Sequence, residues 1–369
     1  MRMRQLIAWM PLLLALATPG HTADAAAVPK KASRLWQLAA QEQARLDQRG
    51  IILEDASLNR YLHGVTTRLW KQLASPLNMP RVKIITDTRI DAHAYPNGVC
   101  YMSTGMLDIL ENESQLAMIL AHEMIHYVRQ HTAALYNHFQ PSRLQDDGGN
   151  AHPGSTAGSL TMWHTIDAAE RQADREGLAI LQAAGYCEKE VLPLMSNLAQ
   201  CVADQGHTQS VYQLKQRAAR FKMRVDQAGD HSTCSPSTGT DTDGYRDSVA
   251  PALIANAQQA LRGGDWDQAD RSISRFLVSQ PLNARAHYLK GEILRRRNGS
   301  NLDAACINAF EKALDIDPTF PLTHRALGEL HYKAGRYQLA KPYFEAFLSL
   351  APQDSARAFI KGYLKQCQN

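Results

Sequence analysis

The chemistry of this chain concentrates in His122-Glu123-Met124-Ile125-His126. On a helix, residues four apart differ by about 40° in direction, so both imidazoles reach toward one point and Glu123 sits beside them. Two imidazoles converging in this way can hold a zinc ion, and the neighbouring carboxylate is placed to take a proton from water. Leu116 to Ala121 precede the motif, and Met124, Ile125, Tyr127 and Val128 interleave with it or follow it. Such a helix is apolar on nearly every face and belongs in the interior. Two histidines and a glutamate buried there without partners would be costly. Metal coordination removes that cost, and the plainer alternative is a set of hydrogen-bonded core polar residues.

A catalytic zinc takes a third protein ligand and keeps one position open. On a continuous helix His131 lies about 140° round from His126 and about 180° from His122, so it is expected to point away as a surface or packing residue. Glu170 is better placed. It belongs to the next long helix, in Glu170-Arg171-Gln172-Ala173-Asp174, where Glu170, Asp174, Gly177 and Leu181 share one face. That face ends apolar and is expected to turn inward with its two carboxylates. Asp174 could then accept a hydrogen bond from a ligand histidine and fix its tautomer. Geometry alone leaves Glu170 level with other acids as the third ligand. Ordinary solvent-facing charge beside Arg171, Arg175 and Glu176 is the plain alternative.

The elements around these residues follow from periodicity and punctuation. Residues 30–73 read as two amphipathic helices, marked by Leu35, Leu38 and Leu46, then by Leu58, Tyr61, Leu62, Val65 and Leu69. Short strands are expected over 81–104, with the turn Pro96-Asn97-Gly98 between them. The strand Val99–Ser103 is expected to take an extended substrate as an added edge strand. Asn112 and Gln115 have capping-box spacing, so the motif helix starts there and runs to about His131. Residues 132–160, rich in Gly, Asn, Asp, Ser and Pro, read as a long surface segment that could cover the site. Helices follow over about 165–184, 188–203 and 209–226. Residues 227–246 read as a linker poor in hydrophobic residues.

The last third repeats. Pro281, Pro318 and Pro352 each follow an apolar helix, and small residues recur in register as Ala257, Gly291 and Gly328, then Ala269, Cys306 and Ala340. Ile273, Phe310 and Phe344 follow, Gly264 and Gly335 fall at turns, and a final helix is expected over 354–366. This is tetratricopeptide spacing, and it builds a concave surface suited to peptides or partner proteins.

Gross features set the frame. A chain of 369 residues suggests two domains. A net charge of +4, spread without long basic runs, argues for solubility and against nucleic-acid binding. Arg2 and Arg4, the apolar run Leu6–Ala17 and then Ala23-Asp24-Ala25 have the order of a secretory signal cleaved after Ala25. The run is shorter than the roughly 20 residues a membrane-spanning helix needs. The domain plan is therefore residues 1–25 signal peptide, 26–226 zinc metallopeptidase domain, 227–246 linker and 247–369 repeat domain. Cys100, Cys187, Cys201, Cys234, Cys306 and Cys367 form no CxxC pair, which disfavours a cysteine-based zinc site. Export would place them where disulfides persist.

Taken together, His122-Glu-Met-Ile-His126 and Glu170-Arg-Gln-Ala-Asp174 resemble the gluzincin family of HtpX-type, Oma-type and CAAX prenyl proteases. The segment Ile90–Gly98, followed by Thr104-Gly105-Met106-Leu107, is similar to that family's strand pair before the metal helix. The resemblance spans roughly residues 45–225. It implies a mainly α fold: a helical zincin-like domain with a small β-sheet, followed by an α-solenoid of tetratricopeptide repeats. It implies one Zn²⁺ per chain on His122, His126 and Glu170, with Glu123 as the proton-handling catalytic residue and Asp174 supporting the ligands. Asp91 stands where the family usually has Asn. The His-Pro pair that usually follows the third ligand and precedes an arginine is matched only by His207-Thr208, ahead of Arg217. By that weak match His207 is a possible gate over the zinc. An exported member of this kind implies a periplasmic location, peripheral to the outer membrane. It also implies unfolded or misassembled protein substrates and a partner in outer-membrane barrel assembly reached through the repeats. The competing reading is a periplasmic chaperone or adaptor whose metal domain is structural or self-inhibited.

Overall fold

The computed structural model describes residues 30–131, 156–204, 208–228, 242–297 and 303–367. The chain is mainly α with one small sheet. It divides into two compact units after Tyr245, with the short stretch Thr86–Thr88 grouped with the second. Residues 1–25, expected to be a signal peptide, residues 132–155 of the expected surface segment, residues 229–241 of the expected linker, and His207 lie outside the described residues.

In the first unit, α1 (Lys30–Gln48) and α2 (Ala56–Trp70) are the two expected amphipathic helices. Asp55 caps α2, its carboxylate accepting from the backbone N–H of Ser57 and Leu58 at 3.0 and 2.9 Å. The buried stripe of α2 is Leu58, Leu62, Val65 and Leu69. The sheet holds β1 (Arg81–Ile85), β2 (Ala92–Ala94) and β3 (Val99–Ser103) in the order β1-β3-β2, with β1 parallel and β2 antiparallel to β3. This corrects the expectation for Val99–Ser103. That strand is central, paired on both sides and buried along its whole length, so it cannot receive an added strand. Its burial has a physical cause. Val99 and Tyr101 pack with Ala39 of α1 on one face, and Cys100 faces Leu120 and Met124 on the other. Two covered faces make a continuous apolar run, not an alternating one.

A short helix, α3 (Thr104–Ile109), leads to α4 (Glu113–Val128), which carries the HExxH motif. The Asn112 side chain accepts from Gln115 N–H at 3.0 Å, and the Gln115 amide oxygen reaches back to the Glu111 N–H at 2.9 Å. Glu113 in the first turn accepts from Tyr61, Arg68 and Tyr186, which pins the start of α4 to α2 and to the segment around Tyr186. The helix ends at Val128, three residues short of the expected His131. Next comes α5 (Thr156–Ala183), which begins inside the stretch read as a loop to 160. The last proline before it is Pro153, and nothing from Thr156 onward interrupts a helix strongly. A 3₁₀ turn (Glu188–Glu190), α6 (Val191–Asp204) and α7 (Thr208–Ala228) complete this unit's main elements. Cys187 is disulfide-bonded, while Cys100, Cys306 and Cys367 are free thiols.

The helices that follow are α8 (Thr242–Gly263), α9 (Trp266–Ser279), α10 (Ala284–Arg297), α11 (Ala304–Ile316), α12 (Pro321–Lys333), α13 (Tyr337–Leu350) and α14 (Arg357–Gln366). Gly264 and Gly335 adopt φ of +81° and +70° at the turns within helical pairs, a conformation that favours glycine. Ala269, Cys306 and Ala340 are fully buried, as are Ile273, Phe310 and Phe344. Gly291 and Gly328 show why the repeat demands small residues. A Cβ on Gly291 would lie 2.5 Å from the Phe310 ring, and one on Gly328 would lie 2.6 Å from the Phe344 ring. Overpacking costs about 1–3 kcal/mol, and so close a contact with a fully buried ring belongs toward the upper end. Alanine recovers about 1 kcal/mol of helix propensity. Gly328→Ala is therefore expected to lower the denaturant midpoint followed by circular dichroism. Gly362→Ala, whose Cβ meets open space in α14, should hold or raise it. A Gly328→Ala midpoint at or above wild type would contradict this packing.

Candidate metal centre

The site is made where α5 crosses α4. Gly177 stands at the contact: a Cβ there would come within 3.2 Å of the His122 backbone nitrogen and 3.3 Å of its Cα. The missing side chain lets the two backbones approach closely. One and two turns earlier on the same face, Asp174 and Glu170 are carried over the histidines. His122, Glu123, His126 and Asp174 are all buried.

The donor atoms converge. His122 Nε2 and His126 Nε2 lie 3.0 Å apart. The Glu170 carboxylate places Oε2 at 3.4 Å from His122 Nε2 and Oε1 at 3.3 Å from His126 Nε2. Among the described residues, His122, His126 and Glu170 form the group able to hold a metal ion. Bonds of about 2.0–2.1 Å to a tetrahedral zinc set ligand atoms about 3.4 Å apart, so this spacing fits the ion. The fit is chemical as well as metrical. Two ring nitrogens facing each other in a buried place need a proton or a cation between them. Glu123, beside them, adjoins a small apolar pocket bounded by Pro80, Val82, Ala94, Cys100, Leu120 and Met124.

The residues behind the donors were only partly foreseen. Asp174 is where the sequence reading puts it, with Oδ1 3.2 Å from His122 Nδ1. Arg217 of α7 then grips Asp174 with two hydrogen bonds, Nη2 to Oδ1 at 2.6 Å and Nε to Oδ2 at 3.0 Å. Its Nη1 also lies 3.4 Å from Glu170 Oε2. Arg217 carries no sequence mark of this contact, because nothing in local periodicity shows that α7 returns to the site. His131 is a correction. It is 2% exposed and turned toward the site, with Nδ1 3.2 Å from His126 Nδ1. The expectation that it points away assumed a continuous helix. Instead α4 stops at Val128, and Gln130 adopts φ +54°, which folds the chain back. A left-handed residue other than glycine costs about 1–2 kcal/mol, and two bonds to the Tyr127 carbonyl, from Gln130 N at 3.1 Å and Nε2 at 2.8 Å, offset it.

The electrostatics divide the carboxylates. Burial opposes charge on Glu170, but His126 and His122 outweigh it and hold the carboxyl well below its ordinary range. Burial likewise opposes charge on Asp174, and Arg217 and His122 overcome it, keeping that group low. Glu123 goes the other way: burial raises it, and the nearby histidines only partly compensate. Burial disfavours charge on His122, yet hydrogen bonds to Asp174 and Glu170 lift the metal-free imidazole to about 10. Burial and the charge of His126 pull His131 down to about 4.

The arrangement defines a class. Residues 56–141, which include the HExxH helix, match Peptidase family M48. Residues 254–321 and 321–354 match tetratricopeptide repeats. The chain thus joins an M48 peptidase domain to tetratricopeptide repeats. Among curated proteins it is similar to the beta-barrel assembly-enhancing protease of Escherichia coli (strain K12), 22% identical over 338 residues, covering 78% of this chain and 68% of that protein. The Yersinia pestis protein of the same name is 26% identical over 174 residues, 42% of this chain and 35% of that one. The putative beta-barrel assembly-enhancing protease of Vibrio cholerae is 27% identical over 166 residues, 40% of this chain and 34% of that one. A solved structure titled "Crystal structure of APC/C hetero-tetramer Cut9-Hcn1" covers 72% of this chain and 54% of its own, at 15% identity and a TM-score of 0.29, too low to bear on the fold.

A pH dependence follows. His122 is raised in the folded, metal-free chain, so its stabilising contribution is complete below its unfolded value of 6.5 and is lost as pH rises toward about 10. With a chelator present, the thermal midpoint is expected to fall between pH 7 and pH 10. Asp174→Asn should flatten that fall, because it removes the largest interaction favouring the charged ring. A wild-type midpoint that stays level over this range would contradict the pairing.

Proposed function

We propose that this chain is an exported zinc-dependent metalloendopeptidase that hydrolyses peptide bonds in misfolded or unassembled envelope proteins, with its repeats recruiting clients or partners. The reading rests on one observation above all. Two imidazole nitrogens and the Glu170 carboxylate meet within ligand distance of one another, beside a buried Glu123. In this reading His122, His126 and Glu170 hold one Zn²⁺, leaving a position for substrate and solvent.

Bound zinc would supply Lewis-acid polarisation of the scissile carbonyl and acidify solvent at the site. Glu123 takes the proton of the attacking water and passes it to the leaving amine. Burial raises its carboxyl, which makes the carboxylate a stronger base for that proton. Asp174, held by Arg217, keeps the His122 ring turned with Nε2 toward the ion. Since the central strand β3 is closed to added strands, an extended substrate does not pair with it.

The order of residues 1–25 supports export to the periplasm, and the disulfide at Cys187 accords with an oxidising compartment. No helix among the described residues is long and apolar enough to cross a membrane. The relatives' printed name, beta-barrel assembly-enhancing protease, supports a role in outer-membrane assembly, with the repeats as the partner-binding surface. The domain plan of residues 26–226 for catalysis and 247–369 for recruitment belongs to the same reading. So does His207 as a gate.

Glu123→Gln is expected to keep zinc and secondary structure while cleavage of an unfolded protein falls by at least about 100-fold. Undiminished cleavage by this variant would remove Glu123 from the mechanism.

A further inference from the structure

The two histidines of the metal centre have different partners behind them. His122 Nδ1 faces a carboxylate, Asp174 Oδ1, at 3.2 Å. His126 Nδ1 faces the ring nitrogen Nδ1 of His131, also at 3.2 Å, and the two rings meet edge to face with centroids 5.1 Å apart. Two ring nitrogens at this distance share one proton, so one donates and the other accepts. The far side of His131 decides which. Its Nε2 lies 3.4 Å from Gln172 Oε1, an oxygen that only accepts, so the His131 proton sits on Nε2 and its Nδ1 presents a lone pair.

The orientation of Gln172 is fixed in turn. Its Nε2 donates to Glu176 Oε1 at 2.8 Å, and Glu176 Oε2 accepts from Arg129 Nε at 2.8 Å. Turning the amide over would aim its NH₂ at His131 and its oxygen at a carboxylate. A chain of directed hydrogen bonds thus runs from Arg129 through Glu176, Gln172 and His131 to His126. The backbone supports the same placement. Gln130 is the non-glycine residue with positive φ among the described residues, and it is the one that turns His131 back over α4. Strained backbone of this kind persists where the surroundings demand it, and it gathers at functional sites.

We infer that His131 is the positioning residue of His126: it accepts the Nδ1 proton of His126, fixes that ring's tautomer, and leaves the Nε2 lone pair aimed at the point shared with His122 and Glu170. This rests on the metal-centre reading above and deepens it. The two ligand histidines are then oriented differently, one by a carboxylate tied to Arg217 and the other by a neutral imidazole tied to Gln172.

The test measures zinc affinity of the full chain by competition with a chromophoric chelator. His131→Phe keeps a ring and removes the acceptor; zinc binding should weaken by about 10–100-fold. His131→Asn places Oδ1 near the lost Nδ1, and its affinity should return to within about threefold of wild type. A role in packing alone predicts the reverse order, with Phe tolerated better than Asn. In ¹⁵N NMR of the zinc-loaded wild type, His126 should show a slowly exchanging Nδ1–H that exchanges faster in His131→Phe. Should His131→Phe fail to fold, Gln172→Leu carries the test at a partly exposed position, with a several-fold loss expected. Wild-type affinity in His131→Phe or in Gln172→Leu, or Asn no better than Phe, would overturn the inference and leave the metal centre standing. A wild-type chain that binds no zinc, or binds it equally after His122→Ala, would overturn both.

Discussion

Everything at this site depends on how closely α5 can approach α4. A helix bearing HExxH offers two imidazoles and a carboxylate, but it cannot supply a third ligand from the same face without crowding. That ligand must come from a second helix whose axis lies close enough for a glutamate side chain to span the gap. Gly177 permits this, since any Cβ there would press on the backbone at His122. The helix period then places Asp174 behind His122 and Glu170 in front of both histidines. Small residues play the same part in the repeats, where Gly291 and Gly328 admit the rings of Phe310 and Phe344. In both units the close helical contact is set by an absent side chain.

The centre is also a solution to a charge problem. Within a few ångströms it gathers three buried histidines, a buried glutamate and a buried aspartate, together with a half-buried glutamate and a half-buried arginine. Each needs a partner of opposite character or a directed hydrogen bond, because unpaired charge in such a place is prohibitively costly. Asp174 and Arg217 neutralise each other, and Glu170 is met by the histidines and Arg217. Glu123 stands apart: burial raises it, and the nearby histidines only partly offset that. Burial and neighbouring charge thereby push adjacent carboxylates in opposite directions, Glu123 up and Glu170 and Asp174 down.

Much of this was legible in the residues, and the failures have physical causes. Asn112 announced the start of α4 because capping is local chemistry. Glu170, Asp174, Gly177 and Leu181 announced an inward face because helical period is local geometry. Pro281, Pro318 and Pro352 marked the repeat ends for the same reason. What stayed hidden was tertiary. The central position of β3 depends on a parallel partner, β1, whose register no turn dictates. Arg217 reaches Asp174 only because α7 returns to α5. His131 was misplaced because the helix was extended through Gln130, whose left-handed backbone carries no sequence mark when the residue is not glycine.

The account stands most directly on where a metal sits. Crystals of the zinc-loaded chain, measured on either side of the zinc absorption edge, should show one anomalous peak per chain, within bonding distance of His122 Nε2, His126 Nε2 and the Glu170 carboxylate. A peak elsewhere, or a Glu170 side chain turned away from an ion held by other groups, would contradict it.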